Sequence, residues 1–391
     1  MNKNKDSVFG TGVEVLLGIS VLVAFILPHT STLFLLINPM LCVALYLIKK
    51  DKHIAGFCWF PVFAILIALL TNGGGEVSQK ALFAAVANIL YLLLFPQVCG
   101  YRIKNIYIYA TFALIFLSQV GYMFQITPVV SLVDRYYPIA WNERGITHMI
   151  ETINTSNYAS FRLGGLYRNP NHCSKYVSFL LAVFLINNKN RSAISQSWFI
   201  FLCFFSVLLT GSRTGLVVVS LLIIFALSTN KTLSKWAIAG VVAVFIGFII
   251  YGVFSGSSFR GFEIEEGFGN SMGLKYNVTM NYVLTEQSVL RLLFGHLDMD
   301  LFETTTSYSL DCEYGYIIYC YGFLGFVAFL TFYIRLFQKL GKDSRMYFLV
   351  LLWMLSSSIM MAYRTSFIFV LLLSSVYNNT IKYSKSNIRP I

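Results

Sequence analysis

Charge is scarce in this chain: only 12% of its 391 residues are Asp, Glu, Lys or Arg, about half the share carried by a soluble globular protein. With 57% hydrophobic residues beside so few ionic groups, a water-soluble domain of this length could not cover its apolar surface. The mean hydropathy of +0.68 agrees. Metal-ligand spacing is missing too. The seven cysteines (Cys42, Cys58, Cys99, Cys173, Cys203, Cys312, Cys320) are scattered, with no CxxC and no Cys/His pattern, so neither a zinc site nor a disulfide framework is expected. A small-residue cleavage site is lacking after the opening Met-Asn-Lys-Asn-Lys-Asp, so the first apolar run is expected to stay as an anchor. No internal repeat is found.

What is present is a succession of apolar runs. A bilayer core takes about 20 apolar residues per helix, and runs suited to spans lie near 9–27, 32–48, 54–70, 80–97, 106–125, 173–187, 198–210, 214–228, 236–254, 313–334, 346–362 and 365–378. The expected fold is therefore all-α: a polytopic transmembrane bundle of about twelve spans in one integral membrane domain, 1–391. The short segments 198–210 and 214–228 read as a hairpin whose tip sinks below the membrane surface. Two connections are long, about 126–172 and about 255–312, and loops of that length inside a compact architecture are commonly functional. The stretch 275–294 has the periodicity of a helix lying on the membrane surface.

The net charge of +12 does not indicate nucleic acid, because its distribution follows the spans. With both termini cytoplasmic, 18 of the 29 basic residues fall in inside segments, against three acids (Asp6, Asp51, Asp343), as the positive-inside rule requires. The eleven basic residues on the other side are eight arginines and three lysines (Lys80, Lys175, Lys275), whereas the inside holds thirteen lysines and five arginines. Arginine presents a planar fork suited to phosphate or carboxylate; lysine is a mobile point charge. An Arg-rich outer face points to an anionic ligand handled there.

Three clusters could carry chemistry. The first is "RLGGLYRNPN", Arg162 to Asn171, followed by His172. Its glycines and proline predict a tight turn before a span, bringing Arg162, Arg168, Asn169, Asn171 and His172 to the outer boundary. Helix capping by Asn171 and a snorkelling Lys175 would explain part of this pattern, but not two arginines. The second is "LTGSRTGL", Leu209 to Leu216, at the hairpin tip. Arg213 there is costly at membrane depth unless it has a partner or a task. The third runs from Phe294-Gly295-His296 through Asp298, Asp300 and Glu303 to Asp311, and ends in "YGFLG" at Gly325. Asp298-Met299-Asp300 matches the DxD of metal-dependent sugar transferases, a pattern too short to carry a metal. Asp311, at the head of a span, is better placed to accept a proton from a hydroxyl. Arg291 precedes this run, and Arg364 stands at the last outer turn.

Taken in order along the chain, these pieces resemble the O-antigen ligase/polymerase superfamily, and within it the Wzy-type polysaccharide polymerases. The resemblance covers roughly the C-terminal two thirds. It implies a GT-C-like membrane glycosyltransferase in the bacterial cytoplasmic membrane, using no cofactor and no metal. It would join undecaprenyl-diphosphate-linked repeat units into O-antigen, capsular or exopolysaccharide on the outer face, with a chain-length regulator as a possible partner. Ligases of the superfamily carry a histidine shortly before the closing glycines. Asp311 stands at that position here, which favours a polymerase.

The residues give that chemistry a reason. Displacing a diphosphate from a sugar C1 builds negative charge on the leaving group, and fixed cations aimed there lower the barrier. Arg162, Arg168 and Arg213, with Arg364 and Arg291, are expected to hold the diphosphate. Asp311, or alternatively His296, Asp298 or Glu303, would activate the acceptor hydroxyl. A lipid-linked glycan flippase is the rival from another class, but its charges would line a central cavity between short loops.

Overall fold

The structure is a computed structural model; it describes residues 12, 14–23, 40, 43–44, 47, 56–72, 79–98, 103–124, 126–136, 163–167, 170–188, 193–227, 288–297 and 313–340. Among the described residues every regular element is a helix and there is no strand. The predicted spans near 236–254, 346–362 and 365–378 lie outside the described residues. The helices are α1 (Glu14–Val23), α2 (Trp59–Asn72, entered by a 3₁₀ turn at Gly56–Cys58), α3 (Gln79–Val98), α4 (Asn105–Met123), α5 (Thr127–Tyr136), α6 (Pro170–Asn187), α7 (Ala193–Leu209), α8 (Arg213–Leu227), α9 (Val289–Phe294) and α10 (Glu313–Leu340). Where the apolar runs are described they are helical, and α5 adds a helix inside the long connection that follows α4. Among the described residues two helical runs are apolar and long enough to cross a membrane by length and composition alone, Asn105–Met123 and Glu313–Arg335, the second of them interrupted at Gly322.

The chain divides into two compact units: Met1–Leu27, Ser31–Tyr107 and Leu274–Ile391 form the first; Pro28–Thr30 and Ile108–Gly273 form the second. In the second, α6 is the core. Every residue from Cys173 to Leu181 is buried, as expected of a helix enclosed on all sides. Its hydroxyls are satisfied along its own backbone, with Ser174 donating to the Asn171 carbonyl (3.0 Å) and Ser178 to the Ser174 carbonyl (2.6 Å). Phe199 of α7 fits among rings from two neighbours, 4.4 Å from Phe184 and 5.1 Å from both Tyr109 and Phe112, centroid to centroid. Lys175, expected among the outward basic residues, is fully buried, with its ammonium 5.9 Å from the Tyr176 ring centroid. Outward-facing positions remain apolar, Leu117 at 60% and Phe201 at 65% exposure among them.

The first unit packs α10 against α2 and α9. Its decisive feature is Gly322, which breaks α10 with φ 66° and ψ −172°. A straight helix would hold residues 313 and 333 about 30 Å apart. Instead the Tyr333 hydroxyl donates to Glu313 Oε1 at 3.1 Å, and the Tyr314 and Phe326 rings lie 6.2 Å apart. The two limbs therefore fold back on one another. At 1.5 Å per residue, limb 313–321 measures about 13 Å and limb 323–340 about 27 Å; only the second approaches the roughly 30 Å of a bilayer core. The run expected as one span at 313–334 is thus a sharp V with Gly322 at its vertex. Glu313 is fully buried between the limbs.

Candidate functional site

In the second unit, the first two sequence clusters meet. Leu163, next to Arg162 in the chain, donates its backbone N–H to the Leu209 carbonyl at 2.9 Å. Gly164 to Tyr167 form a tight turn, with Gly165 at φ +58°. There a Cβ would fall 2.4 Å from the Ser118 hydroxyl oxygen, the atom that accepts from the Leu166 N–H at 3.1 Å. The adjoining side chain, Gln119, is fully buried. Its amide donates to the Leu163 carbonyl (3.0 Å) and the Ser206 carbonyl (3.1 Å), and its Oε1 accepts from the Ser206 hydroxyl at 2.5 Å. One glutamine near the C-terminal end of α4 thus ties the glycine turn to the end of α7.

Helix α6 starts at Pro170, a favoured first helical residue because its missing N–H would have had no partner there. The helix therefore begins one residue before the cap expected at Asn171. Asn171 and His172 lie half-buried in its first turn. Helix α8 starts at Arg213 after the turn Thr210–Ser212, in which Gly211 has φ +58°. Ser212 caps it, its hydroxyl accepting from the Gly215 N–H at 3.2 Å. Gly215 lies so close to α6 that a Cβ would stand 2.6 Å from Ser174 Cβ. The N-terminal ends of α6 and α8 are therefore neighbours, and both macrodipoles favour an anion there. The Arg213 side chain, and Arg162, Arg168 and Asn169 altogether, lie outside the described residues, as do Asp311 and Arg364.

Gln119 carries a prediction. Gln119→Leu keeps the volume but leaves two buried carbonyls and a hydroxyl without their partner, each worth about 1–3 kcal/mol. The unfolding free energy of the detergent-solubilised protein should fall by at least about 1 kcal/mol; an unchanged value would show that the clasp contributes nothing.

In the first unit, the two described ends of the third cluster, Phe294–Leu297 and the segment from Glu313 to Gly325, meet at the break in α10, while 298–312 lie outside the described residues. Gly322 leaves the carbonyls of Tyr319 and Cys320 without the N–H groups of a continuing helix. The strand of chain after α9 supplies them: His296 N–H donates to the Tyr319 carbonyl (2.8 Å) and Leu297 N–H to the Cys320 carbonyl (2.9 Å). The approach is backbone to backbone. A Cβ on Gly295 (φ +80°) would fall 2.3 Å from the Cys320 carbonyl, and one on Gly322 2.3 Å from the Leu293 carbonyl. Leu297 is held at φ 62°, strain of the kind that concentrates at functional sites.

Around this joint stand Asn72, Arg291 and His296. Asn72, at the end of α2, donates to the Ala68 carbonyl (2.8 Å) and the Gly295 carbonyl (3.1 Å), and its Oδ1 accepts from Arg291 Nη1 at 3.2 Å. The same Nη1 is 2.8 Å from His296 Nδ1. The imidazole stacks on Tyr319, centroids 4.7 Å apart and planes 15° from parallel. Burial, and then the charge of Arg291, push the His296 pKa down to about 4, so the ring is neutral at neutral pH. Asn72, Gln119 and Glu313 were not singled out in the sequence; for Gln119 a polar residue inside an apolar run was the available signal, whereas Asn72 and Glu313 stand at helix ends.

Among the described residues the chain is an apolar, all-helical protein in which the first turns of α6 and α8 lie side by side in one unit and an Asn–Arg–His cluster stands in the other. No family model, curated protein or solved structure matches the chain.

Proposed function

We propose that the chain is a membrane glycosyltransferase that polymerises undecaprenyl-diphosphate-linked repeat units on the outer face of the bacterial cytoplasmic membrane, in a GT-C-like bundle of about twelve spans with both termini inside. The observation that carries the reading is the meeting of "RLGGLYRNPN" with "LTGSRTGL". Two arginine-bearing segments from distant parts of the chain are hydrogen-bonded together where two helices begin, an arrangement suited to phosphate. Exposed apolar side chains on the helices, such as Leu70 at 82%, suit a lipid surroundings.

In the reaction, the acceptor hydroxyl oxygen forms a bond to C1 of the donor glycan. The C1–O bond to the polyprenyl diphosphate breaks, and its electron pair leaves on the diphosphate. Arg162, Arg168 and Arg213 stabilise that charge, and Asp311 takes the hydroxyl proton. Asn169, Asn171 and His172 flank the same anion, and Arg364 is a further cation for it. No cofactor enters the scheme, and a chain-length regulator is the partner it would accommodate.

With purified lipid-linked repeat units in proteoliposomes, the protein should build a ladder of lengthening glycans, read by gel electrophoresis. Movement of the carrier across the bilayer without chain growth would make it a flippase instead. Transfer of a glycan to a foreign acceptor without lengthening would make it a ligase.

A further inference from the structure

Most of helix α9 is exposed, and its exposed side is apolar. Val289 (74%), Leu290 (63%) and Leu293 (38%) share one face at i, i+3 and i+4 spacing. Arg291 stands beside that face and is exposed as well. Its Nη1 donates to Asn72 Oδ1 at 3.2 Å and lies 2.8 Å from His296 Nδ1. A guanidinium carries five N–H groups, so these contacts use both Nη1 hydrogens and leave those on Nε and Nη2. A carboxamide oxygen and a ring nitrogen fix where the group stands without neutralising it. Among the described residues Arg291 forms no ion pair.

Asn72 also sets where α9 lies. It closes α2 and donates to the Gly295 carbonyl at 3.1 Å, so α9 is bonded to the end of α2. Phe63 (56%), Ile67 (38%) and Leu70 (82%) form an exposed stripe at helical spacing along α2, and Leu70 comes two residues before Asn72. Large apolar side chains left exposed in a row suit acyl chains. A cation at the end of such a row stands where headgroup phosphates lie, because arginine keeps its stem on apolar surface and its head in the polar layer.

We propose that α9 lies in the headgroup layer of the outer leaflet and, with α2, binds an anionic phospholipid, its phosphate on Arg291 and its acyl chains against the α2 stripe. A short helix with apolar side chains on one face and a cation beside them binds a lipid surface by both effects, and an uncompensated charge favours an anionic headgroup. Arg291, grouped in the sequence with the ligands of the diphosphate, is thereby a lipid anchor. This inference rests on the membrane placement in the proposed function and not on its chemistry.

The test uses full-length protein in phosphatidylcholine nanodiscs doped with a photoactivatable phosphatidylglycerol, the labelled peptides being read by mass spectrometry. Labelling should fall on 289–293 and 63–70. Unlabelled phosphatidylglycerol should compete, and a phosphatidylcholine probe at the same dose should label less; both comparisons use the wild type. Arg291→Gln should lower the labelling about fivefold, the change that one surface cation makes, whereas Arg291→Lys keeps the charge and should retain most of it. Equal labelling by the phosphatidylcholine probe, or an unchanged yield in Arg291→Gln, overturns the proposal. Competition by undecaprenyl phosphate at far lower dose, or by soluble glycerol phosphate, overturns it too, giving the site to the carrier or to a free phosphate. Alkaline washing of membranes separates the two readings. Protein released by it was never embedded; protein retained but unlabelled loses only this site.

Discussion

Arg213→Ala should reduce chain growth by at least about 100-fold while leaving the protein folded, because removing one donor to a developing oxyanion typically costs 10²–10³ in rate. The two halves of that expectation have separate grounds. The helix start has its own supports: α8 is started by Ser212, whose hydroxyl takes the Gly215 N–H (3.2 Å). The turn before it is held by Thr210, which donates to the Val207 carbonyl at 2.6 Å and accepts from the Ser212 N–H at 3.2 Å. None of these bonds uses the guanidinium. Rate, in contrast, depends on it, since the charge that forms on a departing diphosphate needs a fixed cation. Arg213→Lys should recover only part of the loss, because a point charge cannot reproduce two parallel hydrogen bonds. The comparison is made on initial rates of glycan lengthening at equal protein in the membrane. Wild-type rates for Arg213→Ala would sink the diphosphate assignment.

Gly322→Ala should prevent accumulation of folded protein. At φ 66° and ψ −172°, the residue occupies a region open essentially to glycine alone, where another residue is strained by about 1–3 kcal/mol. Its Cβ would also meet the Leu293 carbonyl carbon and oxygen, each at 2.3 Å. These are backbone atoms and cannot swing aside. They are fixed in turn by the His296 and Leu297 bonds to the limb that Gly322 terminates. Gly295→Ala meets the Cys320 backbone in the same way at φ +80° and should behave alike. Total stability of a folded protein is about 5–15 kcal/mol, so strain and collision together consume much of it. Gly56→Ala is the control, since a Cβ there has nothing within 4 Å. The readout is the amount of monodisperse protein after extraction and its thermal midpoint. A Gly322→Ala protein as stable as the Gly56→Ala control would mean that the V in α10 does not exist.

The clusters read from the sequence differ in how far they foretold their surroundings. The turn in "RLGGLYRNPN" and the hairpin tip at "LTGSRTGL" were legible, because Gly, Pro and Ser state their backbone preferences locally. That the two are bonded through Leu163 and Leu209 was not, and neither was the buried glutamine that joins them, since nothing in an apolar run marks which face meets which neighbour. In α10 the reading was incomplete for another reason. Gly322 lies within a hydrophobic run, and glycine is common in membrane helices, so periodicity could not separate a straight span from a folded one.

The amino-acid order by itself determined that the described apolar runs are helical, where most of those helices lie to within several residues, and which segments carry the arginines; it did not announce α5. These follow from apolar run length and from local backbone preference, which act between near neighbours. Only tertiary structure decided that α10 turns back at Gly322, that Glu313 is sealed against Tyr333, and that Asn72, 219 residues from Arg291, orients the guanidinium that orients His296. Those outcomes depend on which distant backbones approach closely enough to exchange hydrogen bonds, and that is set by packing across the whole unit.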